Sequence, residues 1–63
     1  MTRLAKILEE RETTIAQLSY ASGINIRTVY RHVRGVTKPD LLQAAAYADA
    51  LKVDIRDLVE SAA

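Results

Sequence analysis

Arg27, Tyr30, Arg31 and Arg34 stand at i, i+3, i+4 and i+7. A helix through them would gather three guanidinium groups and a phenol on one face. A guanidinium is a planar fork of N–H donors that can bond two acceptors of guanine, O6 and N7, at once. It can also grip phosphate oxygens, as can a phenol. Ile26 and Thr28 lie near the start of the same segment, and an apolar side chain such as Ile26 suits a thymine methyl. From Asn25 to Lys38 there are four Arg or Lys residues plus His32, and no acid. The net charge of +1 hides this asymmetry, because residues 1–38 balance at +4 and residues 39–63 at −3. A basic stretch beside an acidic remainder fits a polyanion bound on one side. Charge alone is equally compatible with a solvated face.

The elements that must hold these side chains can be read from periodicity and caps. Thr2 is a candidate N-cap for a first helix over about Arg3–Glu12, with Leu4, Ile7 and Leu8 as its buried stripe. Lys6 and Arg11 are placed to pair with Glu10 and neighbouring acids along it. Thr14-Ile15-Ala16-Gln17 is a capping box that opens a second helix, with Leu18 and Ala21 inward and Gly23 as its stop. Asn25 caps a third helix over about Ile26–Arg34, with Val29 and Val33 inward and Gly35 ending it. Val36-Thr37-Lys38 is a loop. A fourth helix is expected from near Pro39 to Leu51, its inner face carried by Leu42, Ala45, Ala48 and Leu51. Asp54 caps a short fifth helix with Ile55, Leu58 and Val59 inward. No segment alternates as a strand does. The prediction is an all-α domain of five short helices, with the helix-turn-helix at about 15–34.

Composition narrows the function classes. Sixty-three residues make one small domain with a modest core. There is no Cys and one His, which removes disulfide frameworks and the usual zinc constellations. No nucleophile–base pair or Gly-rich phosphate loop supports an enzyme, and Asp54 and Asp57 read as a capping pair. No cofactor and no small-molecule ligand is evident. No apolar run approaches a membrane span or a signal peptide, so a soluble, cytoplasmic, nucleoid-associated protein is expected.

An eight-residue helix, the turn Gly23-Ile24-Asn25 and a second short helix make the layout of a helix-turn-helix. The run Leu18-Ser19-Tyr20-Ala21-Ser22-Gly23-Ile24-Asn25, then Thr28-Val29-Tyr30-Arg31 and Arg34-Gly35, resembles the phage repressor and Cro (lambda-repressor-like) helix-turn-helix family. Lys38-Pro39-Asp40, Ala48, Ala50-Leu51 and Val53-Asp54 resemble the downstream part of that domain, so the likeness covers about residues 3–60. It implies double-stranded DNA as partner, with base reading by Ile26, Arg27 and Arg31. Phosphate contact or positioning would fall to Thr14, Gln17, Asn25, Thr28, Tyr30, Arg34 and Lys38. Many relatives pair an Arg in the first helix with a Glu near the end of the recognition helix. Here the matching positions are Leu8 and Val33, both apolar, so a van der Waals contact replaces the ion pair. His32 stands where the family is usually apolar, and it either packs neutral at the core edge or turns outward to phosphate.

The expected function is sequence-specific DNA binding by a transcriptional regulator, a repressor. The alternative is an antitoxin or other protein-interaction module on the same scaffold, using the acidic half with Ile55, Leu58 and Val59. Tyr30 serves equally well as a packing residue, and Arg34 can interact with its own helix C-terminus. A homodimer on a palindromic site would use Tyr47, Ile55, Leu58 and Val59.

Overall fold

The computed structural model describes residues 2–58. Four α-helices follow in order: α1 (Arg3–Glu10), α2 (Ile15–Ser22), α3 (Ile26–Arg34) and α4 (Leu41–Leu51). A single 3₁₀ turn, Ile55–Asp57, comes after them, and there is no strand among the described residues. α2 packs on both α3 and α4, α1 packs on α3, and the 3₁₀ turn sits on α4.

The chain is all-helical, but the expected fifth α-helix is only that three-residue turn. A 3₁₀ turn brings residues i and i+3 onto one side. Ile55 and Leu58 therefore both face the core without the costly nucleation of another α-helix. Val59, also expected to face inward, lies outside the described residues. Two helix boundaries differ from expectation as well. α1 stops at Glu10, and α4 starts at Leu41, with Asp40 rather than the Pro39 region opening it. Asp40 Oδ1 accepts from Gln43 N at 2.8 Å, and Gln43 Oε1 accepts from Asp40 N at 2.9 Å, a second capping box.

The core is built from Leu4, Leu8, Leu18, Val29, Tyr47, Ala48, Leu51 and Leu58, with Ile7, Ile15, Ile24, Val33 and Ile55 packed against it. Leu8 and Val33 thus meet in one apolar cluster. The inner face of α4 is not the expected one. Ala44, Tyr47, Ala48 and Leu51 are buried, whereas Leu42 is 82% exposed and Ala45 is exposed too. Ala44, Tyr47, Ala48 and Leu51 follow the i, i+3, i+4, i+7 rule, and Leu42 falls about 200° from Ala44 on the helix wheel. Ala21 of α2 is likewise exposed.

α1, α3 and α4 all end in the same way. In each, an amide beyond the helix end bonds back to the carbonyl five residues earlier: Thr13 N to Leu8 O, Val36 N to Arg31 O, and Val53 N to Ala48 O, at 2.9–3.0 Å. This ending needs a left-handed residue. Gly35 supplies it for α3 at φ 79°, but Glu12 and Lys52 supply it for the other two at φ 53° and 57°. A side chain in that region costs about 1–2 kcal/mol relative to the right-handed one. Lys52→Gly is therefore expected to stabilise the domain by about 0.5–1 kcal/mol, partly offset by the freedom glycine gains when unfolded. For a domain this small that is a rise of several degrees in Tm, roughly 2–8 °C, readable by circular dichroism. An unchanged or lower Tm would show that the Lys52 backbone carries no strain.

Candidate nucleic-acid interface

The turn that sets α3 against α2 is closed by short polar bonds. Gly23 adopts φ 74° and its amide donates to Ser19 O at 2.9 Å. A Cβ there would meet nothing within 4 Å, so the backbone angle, not space, is what calls for glycine. Ser19 Oγ donates to Ile24 O at 2.6 Å, and Ile24 tucks its side chain toward the core. Asn25 Oδ1 then accepts from Arg27 N at 2.8 Å and starts α3.

α3 sorts its residues by face. Val29 is fully buried and His32 is 5% exposed, with Val33 half-buried beside them. On the other side Arg27, Arg31 and Arg34 are exposed, while Ile26 and Tyr30 are each 48% exposed and Thr28 is half-buried. The side chains of Arg27, Arg31 and Lys38 have no hydrogen-bond or ion-pair partner among the described residues. An ion pair lies elsewhere, between Arg56 and Asp54 at 3.1 Å on an exposed turn, and Lys6 and Arg11 pair with no acid among the described residues. Tyr30 and Arg34 are different. Arg34 Nη1 donates to the Tyr30 hydroxyl at 2.9 Å, and its guanidinium carbon lies 5.5 Å from the ring centroid. That contact orders two flexible side chains on the face and leaves other guanidinium N–H donors available outward.

Thr14 and Gln17 form the capping box at the start of α2. Thr14 Oγ1 accepts from Gln17 N at 3.0 Å, and Gln17 Oε1 accepts from Thr14 N at 2.8 Å. The Gln17 amide group keeps its N–H donors. Both residues are exposed, as are Asn25 at the start of α3 and Lys38 in the following loop. Capped helix starts that point free N–H groups at solvent favour anions.

His32 is a structural residue. Its Nδ1 lies 2.6 Å from the Tyr47 hydroxyl, with the two rings edge to face at 5.7 Å. Burial pushes the Tyr47 phenol up to about 12, so it keeps its proton. That hydroxyl has no other partner among the described residues. It therefore donates to Nδ1, which places the imidazole hydrogen on Nε2. Thr2 supplies a second tie: its hydroxyl donates to Val33 O at 2.7 Å and accepts from Ala5 N at 3.0 Å. One side chain thus caps α1 and satisfies a terminal carbonyl of α3.

Burial holds the His32 pKa below its usual value, with Asp40 opposing the shift electrostatically. Between that lowered pKa and the ordinary value near 6.5, the unfolded chain binds a proton that the folded chain refuses. Stability is therefore expected to be full above about pH 6.5 and to fall as the pH drops below it, with a slope of at most about 1.4 kcal/mol per pH unit. His32 is the one histidine and there is no cysteine, so few other side chains titrate in that window. Urea melts from pH 7.5 to 5 should show the slope in the wild type and lose it in His32→Leu. A profile that is equally steep in the variant would assign it to other groups.

The residues expected at a two-fold contact are placed otherwise. Tyr47 has no exposed surface and Leu58 is 8% exposed, so both are committed to the core. Ile55 is half-buried against it, and Val59 lies outside the described residues. The apolar face suggested for protein binding is thus largely taken up internally. Sequence reasoning missed Tyr47 as a core residue and Thr2 as a tie to α3. For Tyr47 the signal was present, in the spacing to Ala44, Ala48 and Leu51.

No described helix is long and apolar enough to cross a membrane. Among curated proteins and among solved structures no significant match is found. A family model described as a Cro/C1-type HTH DNA-binding domain matches residues 3–62, nearly the whole chain, and the chain belongs to that family.

Proposed function

We propose that this chain is a single helix-turn-helix domain that binds double-stranded DNA sequence-specifically and regulates transcription as a repressor. One observation carries the reading. α3 is locked to the core by Val29 and His32, while Arg27 and Arg31 on its other face are exposed and unpartnered. Donors without internal partners break no intramolecular bond when they exchange water for base edges. An α-helix is about 10–12 Å across with its side chains and fits the major groove, which is about 12 Å wide.

In this reading Ile26, Arg27 and Arg31 read bases. Thr14, Gln17, Asn25, Thr28, Tyr30, Arg34 and Lys38 hold the backbone and set the register. The Tyr30–Arg34 contact favours a positioning role, since an ordered guanidinium loses less entropy on gripping phosphate. Two copies on a palindromic site, half-sites about one helical turn apart, would add the contact area that one small domain lacks. Their mutual contact does not use Tyr47 or Leu58. Repression follows most simply from steric exclusion at an occupied promoter.

Selection from a random duplex pool tests the reading. A defined motif should emerge, with log–log salt dependence of slope about −0.9 per phosphate contact. A pool that never enriches would overturn sequence-specific binding. The same site placed across a reporter promoter should lower expression when the chain is present.

A further inference from the structure

We propose that a cavity beneath the end of α3 binds a small planar carboxylic acid, and that its occupation weakens the grip of the α3–α4 loop on DNA. The cavity measures about 180 Å³ and takes walls from α1, α3, the loop, α4 and Leu58. An apolar cavity of about 150 Å³ accommodates a benzene ring. Leu4, Ala44 and Leu58 offer apolar wall, and Tyr47 adds an aromatic one.

Two polar groups in the wall define the ligand's charge. His32 is more than nine-tenths buried, and its one hydrogen bond is through Nδ1 to Tyr47. No buried side-chain nitrogen or oxygen among the described residues lacks a partner, so the unbonded Nε2 keeps access to open space. His32 is among the residues that line this cavity. With the Tyr47 hydroxyl donating to Nδ1, Nε2 carries the ring N–H and is a donor to the cavity. Lys38 also lines the cavity, exposed and unpartnered. An N–H donor and an ammonium beside apolar walls fit an aromatic carboxylate. The acid that acts on His32 is Asp40, and its Oδ1 is engaged at the start of α4 by Gln43 N.

The coupling to DNA rests on the proposed phosphate role of Lys38. A carboxylate on Lys38 removes the charge that phosphate would use, so the ligand and DNA compete for one residue.

Amide chemical-shift titration of the chain with sodium benzoate tests the site, with benzyl alcohol as a neutral probe of similar size. Benzoate should give saturating shifts at His32, Thr37 and Ala44 at or below about 10 mM, as expected for a ligand of few heavy atoms. Benzyl alcohol should bind at least about tenfold more weakly, the value of one charge-assisted contact. Lys38→Met, at an exposed position, should bring benzoate down to the alcohol's level. Ala44→Leu, which fills the cavity, should abolish both. Shifts that never saturate, or that persist in both variants, overturn the site. On a selected duplex, saturating benzoate should lower affinity several-fold in the wild type and not in Ala44→Leu. Unchanged affinity overturns the coupling. If no duplex is bound at all, the reading as a sequence-specific binder fails, and the titration still decides the cavity.

Discussion

The double variant Arg27→Ala/Arg31→Ala is expected to lose most of its preference for a selected site over a scrambled duplex, while melting like the wild type. Each arginine can make one bidentate contact with guanine, worth about 1–3 kcal/mol of discrimination. Loss of two such contacts at separate base pairs corresponds to about 10²–10⁴ in the specificity ratio. The fold should be indifferent to the change. Both side chains are exposed, neither has a partner among the described residues, and alanine suits a helix at least as well as arginine. Fluorescence anisotropy on the two duplexes, at one fixed salt concentration, gives the ratio directly. Arg34→Ala or Lys38→Ala should behave differently, weakening both duplexes alike and making the salt slope shallower by about one contact. If the double variant kept its ratio, base reading by Arg27 and Arg31 would be wrong, and Ile26 or DNA shape would have to supply the preference.

The parts of this molecule that short-range rules govern were legible in the sequence. Thr2, Thr14, Asn25 and Asp54 each cap the element they were expected to cap. Gly23 and Gly35 both adopt the left-handed ends assigned to them. The alternation of Val29 and Val33 with Arg27, Arg31 and Arg34 separated the buried from the exposed basic face, because a helix wheel depends on nothing outside the helix. α4 failed for the same reason. Nine of its eleven residues are apolar, and Gln43 and Asp49 alone mark the phase only weakly, so Leu42 looked as good a core residue as Ala44. The spacing of Ala44, Tyr47, Ala48 and Leu51 was there to read, and the bond of Tyr47 to His32 on α3 fixes the rotation. Asp40-x-x-Gln43 was a readable capping box, overshadowed by Pro39 beside it. The left-handed residues at Glu12 and Lys52 carried no sequence signal, since neither side chain favours that conformation.

Tyr47→Ala is expected to unfold much of the protein at 25 °C, and Tyr47→Phe to destabilise it measurably by a different route. Tyr47 is among the largest fully buried side chains. Removal of a buried aromatic ring costs about 3–5 kcal/mol through lost contacts and the cavity left behind. A chain of this length has roughly 3–9 kcal/mol in total, at about 0.05–0.15 kcal/mol per residue. Tyr47→Phe keeps the ring and removes only the hydroxyl. It leaves Nδ1 of a buried imidazole without its donor, which costs about 1–3 kcal/mol. The pair His32→Leu/Tyr47→Phe removes both ends of the bond together, and an apolar replacement of both partners can be nearly neutral. The double variant should therefore be more stable than Tyr47→Phe alone, a coupling visible in a urea-melt cycle. Because this bond joins α3 to α4, the single variant should also bind DNA less tightly, through a smaller folded fraction, and regain affinity in the double variant. Additive losses in the cycle would show that the two residues act separately, and that α3 is held in place by Val29, Val33 and the Thr2 bond alone.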